Sequence, residues 1–200
     1  MRCSLRHTGD RGATILELAL VMPFLLLLGL GTAELGLGWI ANDHVEGASA
    51  QAARVASVSG SRVEADRDVL MAIAAALPAG DLNTLDRVVI FKPGAGGVVP
   101  TGCIKVLGDP SETGVTAACN TYSGATVRAV TALSMTGFGG GVTAKDRYWA
   151  PAVRNDALAD PPDFIGVWVR TTHLSNLGGF FPETTITKVS IFQIQPDLLG

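Results

Sequence analysis

One apolar run near the N-terminus constrains this chain more than any other feature. Residues 18–33 carry no charged side chain, but sixteen residues make only about 24 Å of helix, short of the roughly 30 Å hydrocarbon core of a bilayer. Extending the run to residue 41 gives about 36 Å, which spans a bilayer and places Glu34 roughly 10 Å inside its far end. We therefore expect a single transmembrane helix over residues 13–41.

The residues before the run predict its orientation. Arg2, Arg6 and Arg11 precede it, so the positive-inside rule places the N-terminus in the cytoplasm and the rest of the chain outside. A secretory signal peptide could be cut near residues 31–33, and a plain signal anchor would remain uncut. Neither alternative explains why Glu17 stands at the head of the run, where burying a carboxylate in hydrocarbon is costly.

The stretch RGATILE, residues 11–17, resembles the cleavage region of type IV prepilins. The resemblance implies a membrane aspartyl peptidase that cuts between Gly12 and Ala13, which makes Glu17 the fifth residue of the mature chain. The cut creates a cationic amine at the head of a helix. A carboxylate one helical turn away, on the same or a neighbouring subunit, can neutralise that amine. Processing would therefore supply a partner for Glu17.

A longer stretch, GATILELALVMPFLLLLGLGTAELG over residues 12–36, is similar to the N-terminus of TadE-like pseudopilins of tight-adherence (Flp pilus) systems. The shared features are the Gly-Ala opening with its glutamate, a proline at Pro23, and a second acid, Glu34, between glycines. Pro23 is expected to bend or loosen the helix because its ring removes a backbone hydrogen bond. Glu34 is expected to be protonated, to reach the interface, or to pair with a neighbouring subunit.

The same resemblance implies a structural role and a set of partners. The protein would be a minor pilin that acts in assembly or initiation of the pilus, held in the bacterial inner membrane with its C-terminal domain outside. The implied partners are the prepilin peptidase, the major Flp pilin, a sister pseudopilin and the inner-membrane assembly platform. The alternative is a signal-anchored envelope protein with an extracytoplasmic binding domain that never joins a filament.

Three cysteines bear on the compartment. Cys3 precedes the apolar run, so it would stay in the reducing cytoplasm, whereas Cys103 and Cys119 would reach an oxidising space. Those two can pair, closing a loop of about 17 residues and stabilising the fold by roughly 3 kcal/mol. The alternative is a pair of buried thiols.

Beyond the apolar run the pattern predicts helices first and strands later. An alanine-rich segment, 42–57, continues the helix outward, and a second helix is expected over 62–77. Strands are expected over 87–91 and 103–106, and as a hairpin over 164–172 and 184–194, while 124–135 favours helix. The sequence thus predicts an α+β fold with a small antiparallel sheet. The expected division is a leader (1–12), a membrane and assembly helix (13–41), a helical stalk (42–77) and an extracytoplasmic domain (78–200).

Charge and motifs exclude several function classes. The net charge is −3 and no basic cluster follows the first eleven residues, so nucleic acid is not an expected partner. The histidines have no metal-ligand partner at recognisable spacing, and the glycine-rich stretches lack the contexts that bind phosphate. We therefore expect a protein that is not an enzyme and that has no cofactor.

Overall fold

The computed structural model describes residues 10–109, 111–130, 137–157, 161–175, 178 and 182–196. Within them the chain forms four α-helices and one sheet of five strands in the order β2-β3-β1-β4-β5. The helices are α1 (Asp10–Ser59), α2 (Ala65–Ala76), α3 (Ala79–Asn83) and α4 (Gly124–Ala129). The strands are β1 (Leu85–Phe91), β2 (Gly114–Val115), β3 (Cys119–Ser123), β4 (Phe164–His173) and β5 (Thr184–Gln193). Every pair of neighbouring strands is antiparallel, which confirms the predicted α+β class.

The outer half of α1 packs against one face of the sheet. Its contact stripe recurs every three or four residues and consists of small side chains: Ala41, Val45, Ala48, Ala52 and Ala56, all at most 5% exposed. Such a stripe covers one face of a helix and lets its backbone approach the sheet closely. The predicted continuation of the helix through residue 57 is confirmed, and this part of α1 belongs to the core of the domain.

The main core lies between the sheet and the helices α1 and α2. Val88 and Ile90 of β1, with Val167 and Val169 of β4, face Leu70 and Ile73 of α2 and the alanine stripe of α1. Alternation along β1 turns Val89 and Phe91 to the opposite face, where a smaller cluster also contains Trp168 and the two cysteines. The two faces of the sheet therefore bury separate apolar clusters.

Gly166 lies in close contact with the smaller cluster. It pairs with Phe91 across β1 and β4, and a Cβ placed on Gly166 would come within 2.3 Å of the Phe91 ring. A residue without a side chain is therefore required for the ring to lie flat on β4.

A buried carboxylate connects α2 to the sheet and to the loop before β4. Asp66 accepts hydrogen bonds from Tyr122 Oη at 2.6 Å and from Asn120 Nδ2 at 2.8 Å, and it forms an ion pair with Arg154. The side chains of Asp66 and Arg154 are fully buried, and the guanidinium lies 4.4 Å from the Trp149 ring centroid. A buried charge of this kind is tolerated only when it is paired and hydrogen-bonded, as it is here.

This network raises the pKa of Tyr122 well above its ordinary value. Burial of the phenol is the largest cause, because it disfavours the charged phenolate. The charge of Asp66 and the hydrogen bond that Tyr122 donates to it act in the same direction.

Several predicted elements agree with the structure. The second helix forms over a shorter range than expected, Ala65–Ala76, and the strand at 87–91 and the late hairpin are both present. Helix is also correct for residues 124–129, whereas 131–136 lie outside the described residues.

The prediction of a strand over residues 103–106 is wrong. Cys103 N donates instead to Pro100 O in a turn, and Ile104 and Val106 are 48% and 80% exposed. Strand β3 was not predicted, because its sequence CNTYS is largely polar. A disulfide between Cys103 and Cys119 joins the start of this strand to the turn.

Candidate functional site

The first part of α1 projects from the folded domain with its apolar side chains exposed. Residues 14–33 are all exposed except Gly31, which is half-buried, and Ile15, Leu20 and Phe24 reach 69–71%. Twenty residues make about 30 Å of helix, the thickness of a bilayer hydrocarbon core. In the described part of the chain, α1 is the one helix long and apolar enough to cross a membrane, and none of its most apolar window is buried. The segment fits a single-pass membrane anchor.

The predicted cleavage bond lies at the start of this helix. Helix α1 begins at Asp10, so the backbone is helical at Gly12 and Ala13. Glu17 is exposed and stands four residues after Ala13, which is the spacing that brings two groups to the same face of a helix. The assignment of Gly12 and Ala13 as the processing site and of Glu17 as the counter-ion remains a prediction.

Pro23 lies inside the exposed segment. The helix continues through it, from Asp10 to Ser59 without interruption. A proline in a helix interior leaves the carbonyl four residues earlier without its backbone donor, here Ala19. The expected role of Pro23 in loosening the helix also remains a prediction.

Glu34, in contrast, is buried against the folded domain. It is only 7% exposed, and its Oε1 lies 3.5 Å from Nε2 of His173, the last residue of β4. The sequence suggested a partner for Glu34 only in a neighbouring subunit, whereas the structure places the His173 imidazole beside its carboxylate within the same chain. His173 was missed because it is 139 positions away and no spacing pattern connects the two residues.

Two further polar contacts fix α1 on the domain just beyond Glu34. His44 Nδ1 lies 2.9 Å from Asp81 Oδ2 of α3, and Lys188 Nζ of β5 lies 2.8 Å from Glu46 Oε2. The hydrogen bond and charge of Lys188 hold the pKa of Glu46 below its ordinary value. The anchor is therefore continuous with the helix that packs in the domain core, and it is not joined to the domain by a linker.

A cavity of about 790 Å³ opens where α1 and β5 separate near the anchor. Glu34, Trp39 and His173 line one side, and the first residues of β5 line the other. Trp39 is 78% exposed at this level, the position at which tryptophan is enriched along membrane helices.

The predicted disulfide is present between Cys103 and Cys119, which are 16 positions apart. It joins the turn at Cys103 to the start of β3, and both cysteines pack with Phe91 and Trp168 in the smaller cluster. Among the described residues, no three His, Cys, Asp or Glu side chains are grouped so that they could hold a metal ion.

These features define a class of protein: a small α+β domain built around the outer half of one long helix, whose inner half fits a single-pass membrane anchor. Residues 12–54 match the family model described as TadE-like protein. The match confirms the resemblance seen in the sequence, covers about a fifth of the chain, and suggests a protein associated with the Tad pilus. No curated protein and no solved structure shows a significant similarity to the chain.

Proposed function

We propose that the protein is a pseudopilin, or minor pilin, that acts in the assembly or initiation of a tight-adherence (Flp-type) pilus. The observation that supports this most is the continuity of α1, which runs from an exposed apolar segment directly into the core of the domain. A subunit of this shape can exchange lipid for neighbouring helices around residues 14–33 without refolding its domain. The role is structural, with no catalysis and no cofactor.

The helix surface suits both environments. Lipid tails and apolar side chains are similar in polarity, so helix association depends on close packing and on paired polar groups. Gly29 and Gly36 have open space where a Cβ would be, which allows a neighbouring helix to approach the backbone. Glu17 is the charged group on this exposed surface, and it needs a partner whenever the surface is buried.

Cleavage between Gly12 and Ala13 by the prepilin peptidase would produce that partner. The new amine of Ala13 and the carboxylate of Glu17 are four residues apart on one helix, so the pair can form within a subunit or between neighbours.

The proposed location is the bacterial inner membrane, with the domain outside, and from there the subunit is incorporated into a surface pilus. The Cys103–Cys119 disulfide supports an oxidising compartment for the domain. The proposed partners are the prepilin peptidase, the major Flp pilin, a sister pseudopilin and the assembly platform of the inner membrane.

Glu17→Ala tests the assembly role in the native cells. We expect the variant to be cleaved and to reach the membrane at nearly normal levels, but to produce fewer or shorter pili, because the amine of Ala13 loses its counter-ion. Glu183→Ala, which removes an exposed carboxylate outside the anchor, serves as the control and should assemble normally. Normal pilus number and length in Glu17→Ala would contradict the pairing and favour an anchored envelope protein.

A further inference from the structure

The sheet has one long free edge. Strand β2, at one end of the order, contains two residues, whereas β5, at the other end, contains ten. All ten pair with β4 on one side, and within the described residues no strand pairs with β5 on the other. Its outer edge therefore presents a row of backbone donors and acceptors.

This edge lacks the usual protection against strand addition. The sequence of β5, TTITKVSIFQ, contains no proline, and its register with β4 is continuous from Phe164 to His173 without a bulge. Its one charged residue, Lys188, is engaged with Glu46 of α1. Thr185, Thr187 and Val189 are exposed, with Val189 at 43%. A regular, β-branched edge of this length is suited to pairing with another strand.

The direction of β5 limits what that strand can be. Glu46 contacts Lys188, Ser49 contacts Ser190, and Ser57 O accepts from Gln195 N, so residue numbers rise together along α1 and β5. Strand β5 therefore runs away from the membrane anchor, parallel to α1. Antiparallel pairing of β5 with β5 of a second copy would point one of the two anchors away from the membrane that holds the other.

The charges beside the edge indicate what the added strand carries. Arg54 of α1 is exposed and its guanidinium lies 5.9 Å from the ring centroid of Phe192 in β5. Within the described part of the chain, no carboxylate forms an ion pair with Arg54. A side chain opposite Phe192 on an added strand would stand within about 5.5 Å of it, next to this guanidinium. A carboxylate is the complementary group at that position.

We propose that the free edge of β5 binds an extended segment of a different chain, which adds a sixth strand antiparallel to β5 and presents a carboxylate to Arg54. The added strand runs toward the membrane, and antiparallel pairing matches every other pair in the sheet. This proposal requires α1 to be the membrane anchor, but it does not depend on assembly of the protein into a filament.

Photocrosslinking in the native cells tests this geometry whatever the identity of the partner. A benzophenone amino acid is placed at Thr185 or at Val189, which lie on one face of β5 four residues apart, and the crosslinked peptides are sequenced by mass spectrometry. We expect both positions to capture one segment of another protein, with the two sites about four residues apart and in reverse order. Val142, which is 94% exposed in a loop, is the control position and should not capture that segment.

The partner's carboxylate is tested by Arg54→Glu against Arg54→Lys, both measured as the yield of the Val189 crosslink. We expect about a fivefold loss with the reversed charge and a near-normal yield with lysine. Capture of β5 from a second copy, capture of a segment within the same chain, sites in parallel or scattered order, or capture no greater than at Val142 would each overturn the proposal. If Glu17→Ala forms normal pili and the β5 crosslinks are as expected, the filament role is contradicted and the strand-addition proposal is supported. The two proposals can therefore fail separately.

Discussion

The carboxylate of Glu34 lies 3.5 Å from the imidazole of His173, so the end of β4 contacts α1 near the outer end of its exposed apolar segment. Both side chains are largely buried, at 8% and 16% exposure. Glu17, the other acid of the apolar run, is exposed and about one helical turn from the start of the segment. The two glutamates therefore have different environments, Glu34 against the domain and Glu17 on the exposed anchor segment.

Replacing each glutamate in turn separates these roles. Glu34→Gln should lower the free energy of unfolding of the domain by about 1–3 kcal/mol, because the Glu34 side chain is buried and its carboxylate lies against the His173 imidazole. Glu17→Gln should change it by less than about 0.5 kcal/mol, because Glu17 is exposed outside the domain. Chemical denaturation of the full chain in detergent, followed by tryptophan fluorescence, measures both. Equal effects of the two substitutions would contradict the assignment of Glu34 to the domain.

The buried phenol of Tyr122 predicts a loss of stability in alkali. In the unfolded chain tyrosine ionises near pH 10, whereas the raised pKa keeps Tyr122 protonated in the folded protein. The folded state therefore binds more protons above pH 10, and the free energy of unfolding should fall there by about 1.4 kcal/mol per pH unit from this group. Below pH 10 both states are protonated and the contribution is constant.

The chain has two tyrosines, which provides a matched control. Tyr122→Phe should cost about 1.5–3 kcal/mol at neutral pH, since the hydrogen bond to Asp66 is lost, and should remove that part of the alkaline slope. Tyr148→Phe should retain the slope, because the Tyr148 hydroxyl accepts from the neighbouring Arg147 near the surface. Denaturation curves of the three proteins from neutral pH to above pH 10 measure the difference. A wild-type slope in Tyr122→Phe would show that other groups cause the alkaline loss.

Removing the disulfide should weaken the domain without abolishing its fold. Cys103→Ser with Cys119→Ser should cost about 3 kcal/mol, on loop-entropy reasoning for a separation of 16 residues. For a chain of this size that is a fall in melting temperature of about 6–12 °C. Cys3→Ser, in the predicted leader, should leave the melting temperature unchanged. A similar fall in Cys3→Ser, or none in the double variant, would contradict this prediction.

The sequence predicted those elements of the fold that are specified by the residue pattern within the element itself. The alanine stripe of α1 and the alternating residues of β5 carry their own periodicity, and β4 is a run of β-branched and aromatic residues, so the long helix and the late hairpin could be predicted directly. Strand β3 could not, because Asn120 and Tyr122 are polar residues whose buried side chains both bond Asp66, which lies 54 and 56 positions away. The turn at Cys103 was mistaken for a strand because alternation of apolar residues does not show whether a neighbouring strand exists.

The same distinction applies to the candidate site. Glu17 could be interpreted from the sequence, because its expected partner, the amine of Ala13, is four residues away on the same helix. Glu34 could not, because His173 reaches it only after β4 has paired within the sheet. The free edge of β5 likewise depends on the strand order, which the sequence did not predict.

The mass of the protein isolated from its native membranes tests the central claim most directly. Processing after Gly12 leaves 188 of the 200 residues, beginning at Ala13. We predict an intact mass and an N-terminal peptide that match this mature chain, with or without a methyl group on the new amine. A protein that retains residues 1–12, or one that begins at Glu34 after signal-peptide cleavage, would contradict the account.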